Sequence, residues 1–229
     1  MRFSATALLF STVLFAADSP DKDAKDVAHR LDTAAAVFSE IMATPDKGIP
    51  TDLLERANCV VIVPGMKKGA FVVGAKYGKG FISCREGSKG WSAPGAVRIE
   101  GGSVGFQIGG SETDVVMLVM NRRGADKLLS DKFTLGAEGE VAAGPVGRTA
   151  AAQTDAMMHA EILSWSRSRG VFAGVSLQGA TLRQDEDDNE ALYGKRMQNR
   201  EVVRGGVATP AAARELISAL NRYSMHEKS

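Results

Sequence analysis

The chain has 229 residues, 24% of them charged, with a formal net charge of +1, 25 glycines, two cysteines and three histidines. Near-neutrality excludes a global electrostatic draw toward nucleic acid or a membrane, so any such attraction must come from local patches. His29, His159 and His226 lie far apart and none sits at zinc-protease spacing, which leaves no metal cage or cofactor site to assign.

Met1 and Arg2 precede an apolar and small-residue run from Phe3 to Ala17. That run falls short of the roughly 20 residues a membrane-crossing helix needs. A basic start, a short apolar core and a small-residue exit at Ala16-Ala17 read as a cleaved signal peptide over 1–17, and so as a secreted or periplasmic protein. Residues 18–229 then form one domain large enough for a proper core.

In chain order, Val27, Leu31, Ala34, Phe38 and Ile41 recur at helical spacing and predict an amphipathic helix that stops before Pro45. Pro50 opens a second, short helix through Leu53, Leu54 and Ala57. Cys59 to Val63 reads as a buried strand ended by a turn at Pro64-Gly65. Gly69 to Tyr77 and Gly80 to Arg85 read as a hairpin about Gly78, since glycine supplies the positive φ that tight turns need.

Further strands are predicted at Trp91, Val97 to Glu100, Val104 to Ile108 and Asp114 to Met120, the last apolar on both faces and therefore central. Asn121 caps a short helix through Leu128 and Leu129, and Phe133 to Val141 returns to strand. Met157 to Ser166 and Val171 to Leu182 read as a long hairpin turning at Arg167 to Gly170. Acidic residues Asp185 to Asp188 start a helix that ends at Gly194, residues 197–208 read as a loop, and Thr209-Pro210 opens a terminal helix over about 209–224. The pattern predicts a single α+β domain: a mostly antiparallel, glycine-rich sheet, barrel or sandwich, with amphipathic helices at both ends.

No constellation supports catalysis. Gly174 to Gly179 is one residue too long for a nucleophile elbow, and Gly78-Lys79-Gly80 lacks the residues that complete a phosphate loop. Asp185, Asp187 and Asn189 start with calcium-loop spacing, but Glu190 stands at the glycine position and Arg196 at the bidentate glutamate position. Cys59 and Cys84 either pair in an oxidising compartment or stay as two buried thiols.

Between Val61 and Glu100 the basic residues Lys67, Lys68, Lys76, Lys79, Arg85, Lys89 and Arg98 face only Glu86 and Glu100. Lysines beside Phe71, Tyr77, Phe81 and Trp91 combine point charge for phosphate with rings able to enter a membrane interface. Each such lysine near an anionic surface contributes about 1 kcal/mol, so Lys67, Lys68, Lys76 and Lys79 are candidates for salt-sensitive head-group binding. Lysines in turns are otherwise merely solubilising, and the same rings can fill a core.

Five ordered blocks carry a resemblance: Gly90-Trp91-Ser92-Ala93-Pro94, Gly102 to Asp114, Gly144 to Arg148, Ser168 to Leu177, and Asn189 to Gly194. Together they resemble the SYLF domain, over about Val27 to Gly194. The resemblance implies a non-enzymatic protein associated with phosphoinositide and actin binding, similar to the bacterial stand-alone form because no second module follows Gly194. It also implies a contribution from the amino-terminal amphipathic segment, here Lys22, Lys25 and Arg30. With a secretory signal in front, the expected partner is an anionic phospholipid surface, and the alternative is a protein partner in the cell envelope.

Overall fold

The structure, a computed structural model, describes residues 20–44, 48–70, 73–87, 90–104, 109–145, 160–168, 171–172 and 177–224. Helix α1 spans Pro20–Ala43, and its predicted stripe is buried against the sheet, with Leu31, Phe38 and Ile41 fully inaccessible. Proline suits its first position because the missing N–H has no helical partner there. Helix α2 follows at Thr51–Arg56.

Nine strands make one sheet: β1 Cys59–Ala70, β2 Val73–Cys84, β3 Gly95–Val104, β4 Gly109–Val119, β5 Lys132–Thr134, β6 Val141–Ala143, β7 Ile162–Ser168, β8 Val171–Phe172 and β9 Thr181–Gln184. Their order is β5-β9-β3-β2-β1-β4-β7-β6, with β8 paired to β7, and every pairing except β6 with β7 is antiparallel. Strands β1 and β4 sit in the middle, as an apolar pattern on both faces requires.

Laid flat, this order would hold β5 and β6 about 34 Å apart at normal strand spacing. The segment joining Thr134 to Val141 reaches about 25 Å even when fully extended. It is not extended, because Glu138 N donates to the Thr134 carbonyl at 2.9 Å and Gly136 N to that of Gly139 at 2.9 Å. The sheet therefore curls into an open half-barrel, neither a sandwich nor a closed barrel.

Strand alternation builds two cores. Outward-facing Val60, Ile62, Phe81, Val116 and Leu118 pack under α1, α2 and the terminal helix α6, Arg214–Ser224. Inward-facing Val61, Val63, Ile82, Val115, Met117 and Val119 fill the concave side with residues of α3, Arg122–Leu128, and α5, Asn199–Arg204. Between the layers, α4, Glu186–Tyr193, is capped by Asp185, whose side chain accepts from Asp188 N, and ends on left-handed Gly194 at φ 72°.

Five local expectations are corrected. Pro64-Gly65 does not end the first strand. It forms a bulge inside β1, where the register slips against both β2 and β4 and Gly65 takes φ 58°. Lys67 and Lys68 therefore lie on a paired strand, not in a turn. Gly78 is not the hairpin turn but lies inside β2, since β1 and β2 pair as far as Ala70↔Gly74. Residues 133–141 are two short strands separated by a turn with Gly136 at φ 85°. Strands β7 and β8 pair with each other up to Ser168↔Val171, but β9, expected in the same hairpin arm, pairs instead with β3 and β5 across the sheet. Residues 197–208 hold helix α5, with Val202 and Val203 buried, where a loop is predicted.

Candidate functional site

The seven predicted cationic residues do not form one patch. On β2, Lys76 has the parity of inward-facing Ile82, and its partner Lys68 has that of inward-facing Met66, so both stand on the concave face. Lys67, paired with Tyr77 and Glu112, and Lys79, in the parity of Phe81, stand on the convex face.

Lys79 belongs to a buried polar hub. Its ammonium lies 2.9 Å from Asp185 and 2.8 Å from Asp188, and Arg30 of α1 meets the other Asp188 oxygen at 2.5 Å. Burial pulls the Lys79 pKa down, but the two carboxylates outweigh it and leave the pKa raised. Asn189, fully buried, accepts from Ala96 N at 2.8 Å and donates to Met197 O and Asn199 Oδ1. The acidic run Asp185 to Asn189 thus ties α1, β2, β3, α4 and α5 together. Among the described residues no cluster with metal-ligand composition occurs.

On α1, Lys25 pairs with Asp21 at 2.7 Å on the exposed face, and Lys22 is exposed beside Asp21 and Asp23. The apolar stripe of α1 is already docked on the sheet and so is not presented to a membrane. Arg30 binds Asp188 beside β2, while Glu40 binds Arg167 of β7 at 2.8 Å. Those ten helical residues rise about 15 Å. The step from β2 to β7 is three strand spacings, about 14 Å. Helix α1 therefore runs across the strands, and Lys67, Gly69, Ala75 and Tyr77 on the convex face beyond it are exposed among the described residues.

The remaining lysines meet at the other end of β1. Lys67 and Lys68 line a groove of about 940 Å³ with Ser111, Glu112, Asp114, Arg167 and Ser168. Arg167 is held by Glu40 and by Asp114 at 3.1 Å, and these carboxylates raise its pKa against the lowering effect of burial. Lys76, only 8% exposed, has its pKa lowered by burial first and by Lys68 second. On the convex face at this end, Gly102, Ala75, Gly69 and Gly110 form one rung across four strands. A Cβ built on Gly69 or Gly102 meets nothing within 4 Å among the described residues. The next rung carries Tyr77, 47% exposed, between Glu100 and Lys67.

Cys59 and Cys84, opposite each other on β1 and β2, form a disulfide with a Cα–Cα distance of 3.9 Å. Sequence reasoning places both on strands but has no means of fixing their register. It also missed the roles of Arg85 and Trp91: the Arg85 guanidinium stacks 4.4 Å from the Trp91 ring and donates to the Leu54 and Ser224 carbonyls at the ends of α2 and α6. The signal lay in an arginine flanking a buried cysteine, six residues before a tryptophan.

Residues 100–223 match the family described as Ysc84: Las17-binding protein actin regulator. The chain belongs to the Ysc84 (SYLF) family. Similar relatives include the SH3 domain-containing YSC84-like protein 1 of Rattus norvegicus, 32% identical over 190 residues that make up 82% of this chain and 56% of the relative. An SH3 domain-containing protein of Schizosaccharomyces pombe is 38% identical over 177 residues, 76% of this chain and 41% of its own. The LAS seventeen-binding protein 3 of Saccharomyces cerevisiae is 34% identical over 179 residues, 76% and 39%. The chain thus spans about half or less of these curated relatives, and the Ysc84 match takes in Asp185 to Asn189 of the polar hub, β4, β7 and the terminal helix.

Proposed function

We propose that this Ysc84-family chain is a non-enzymatic binding module that takes the phosphate of anionic phospholipids at the lysine end of the curled sheet. The observation that carries this reading is the pair Lys68 and Lys76, opposite each other on adjacent strands with Lys76 nearly buried. Like charges in that position repel one another. An anion beside both would lessen that repulsion, and Lys67, on the opposite face of β1, lines the groove that Lys68 also lines. Lys79, Arg30 and Lys25 are committed to carboxylates and stand outside this site. Lys22 lies on the exposed face of α1.

A secreted or periplasmic location fits the disulfide, which an oxidising compartment maintains. Among the described residues no helix is long and apolar enough to cross a membrane.

Liposome co-sedimentation tests the reading. Binding should rise with anionic lipid, fall with salt, and drop at least about tenfold when Lys67 and Lys68 become Glu. Equal pelleting with neutral and anionic vesicles, indifferent to that charge reversal, would reject it.

One observation favours a second reading, in which the module docks a protein. The bare Gly102–Ala75–Gly69–Gly110 rung lets another backbone approach the sheet closely, and exposed Tyr77 offers an aromatic anchor beside it. The names of the Saccharomyces relative and of the family describe binding to a protein. A photo-crosslinker at position 77 that yields one discrete heavier species in cells, lost in Gly69→Trp, would favour this reading over the lipid one.

A further inference from the structure

Strand alternation sets a continuous polar row across the convex face beyond α1. It reads Thr134, Thr181, Glu100, Tyr77, Lys67 and Glu112, one residue from each of β5, β9, β3, β2, β1 and β4, and every member is exposed or half-exposed. At normal strand spacing the row is about 24 Å long, room for a chain rather than a single ion. Two residues along each strand, on the same face, Lys132, Arg183 and Arg98 stand side by side. We infer that this face binds an acidic polysaccharide, a chain of sugar rings bearing carboxylates, with Tyr77 as its platform.

The balance of charge supports an anion. Lys132, Arg183 and Arg98 are like charges directly opposite one another on adjacent strands, an arrangement that repels. One carboxylate serves both arginines: Glu100 lies 2.8 Å from Arg98 Nε and 3.5 Å from Arg183 Nε. Asp185 approaches Arg98 only to 4.0 Å, and Lys132 makes no ion pair among the described residues. A ligand carboxylate would complete this set, because the planar fork of arginine matches carboxylate oxygens in pairs.

The rest of the row calls for hydroxyls and a ring. Lys67 and Glu112 are exposed opposite each other on β1 and β4 but form no ion pair together. The ammonium can only donate and the carboxylate can only accept, so a ligand that satisfies both must carry acceptors and donors alike. Sugar hydroxyls do so, whereas a bare phosphate brings no donor for Glu112 and is repelled by it. Tyr77 is the one large apolar side chain exposed among the described residues. A single ring suits the C–H face of one sugar, while a membrane interface or a run of stacked bases draws on several aromatic side chains. Beside it Gly69 and Gly102 have no side chain to lift the chain off the sheet.

Isothermal titration of the full chain with tetragalacturonate in one arm and uncharged cellotetraose in the other, at equal ionic strength, tests the site. Saturable binding of tetragalacturonate is expected, with cellotetraose weaker by at least about tenfold, the scale of a lost charge-assisted bond. Tyr77→Ala should weaken the acidic sugar about tenfold, as loss of an aromatic anchor does. Lys132→Ala should weaken it about threefold, the scale of an exposed ion pair. Both side chains are exposed, so neither change threatens the fold. Arg123→Ala is the control, because Arg123 is 81% exposed on α3, away from this face. Lys67, which also lines the lysine groove, is left unchanged, and the probes contain no bilayer, so the outcome is independent of the membrane reading. Absence of saturable binding, equal affinity for the two sugars, or binding that survives both Tyr77→Ala and Lys132→Ala or falls as far in Arg123→Ala, overturns the proposal.

Discussion

At Gly80 of β2, a Cβ would stand 2.0 Å from the Ile62 carbonyl oxygen and 2.8 Å from Val63 Cα, both main-chain atoms that cannot swing aside. Gly69, on the adjacent strand, meets nothing at the same test among the described residues. Gly80→Ala should therefore cost about 3 kcal/mol through overpacking. Gly69→Ala should stay within about 0.5 kcal/mol, and urea midpoints of the two variants check the contrast. Lys79 makes a second residue-scale case, since removing it leaves Asp185 and Asp188 with reduced compensation. Lys79→Met should lower stability by about 3 kcal/mol, the scale for breaking a largely buried pair. The sign with pH is fixed by the raised native pKa. Below the ordinary lysine value of 10.5 the stabilisation is complete, and it fades as pH climbs through the raised value. The alkaline decline in stability should be shallower in Lys79→Met, and equal alkaline slopes in both proteins would refute this role.

Elements explain why some of this was legible in the sequence and some was not. The stripe of α1, the Asn121 cap of α3 and the Gly194 stop of α4 depend on neighbours within one or two turns, so local pattern suffices for them. Pro64-Gly65 and Gly78 mislead for a physical reason. Their usual local meaning is a turn, whereas here long-range pairing on both sides of β1 converts the first into a bulge. At Gly78 the glycine serves close approach, because a Cβ would meet Val63 Cγ1 at 2.8 Å. Helix α5 carried a readable cue in Gln198 and Glu201, whose carboxylate accepts from Gln198 N at 3.2 Å, but two buried valines in so short a segment do not reveal a period. The lysines of the candidate site were visible as residues and strand alternation alone divides them between two faces, yet which of Lys67 and Lys68 turns to the concave side follows from the one-residue slip at the bulge. The β1–β2 pair also carries the disulfide across a separation of 25 residues. Reduction should lower stability by about 3 kcal/mol, and non-reduced protein should show no alkylatable thiol by mass spectrometry.

The whole molecule holds its two cores on opposite faces of the same strands. Val60 and Val61, Phe81 and Ile82, and Val116 and Met117 send consecutive side chains to different cores. Neither layer can lose its packing without exposing residues of a strand that the other still needs. The polar hub strengthens this coupling, since Asp188 receives α1 through Arg30 and β2 through Lys79, while Asn189 reaches β3 and α5. Both tryptophans belong to the convex core, with Trp91 Nε1 bonded to Ser224 at 2.7 Å and Trp165 Nε1 to the Pro145 carbonyl at 2.8 Å. Their fluorescence therefore reports the helix-covered side alone, whereas far-UV circular dichroism reports the entire sheet. If the two cores unfold as one unit, the urea transitions followed by these signals should coincide in midpoint and slope. A fluorescence transition that precedes the loss of sheet signal would show that the helical layer detaches first, and the curled sheet would then stand as a separable body.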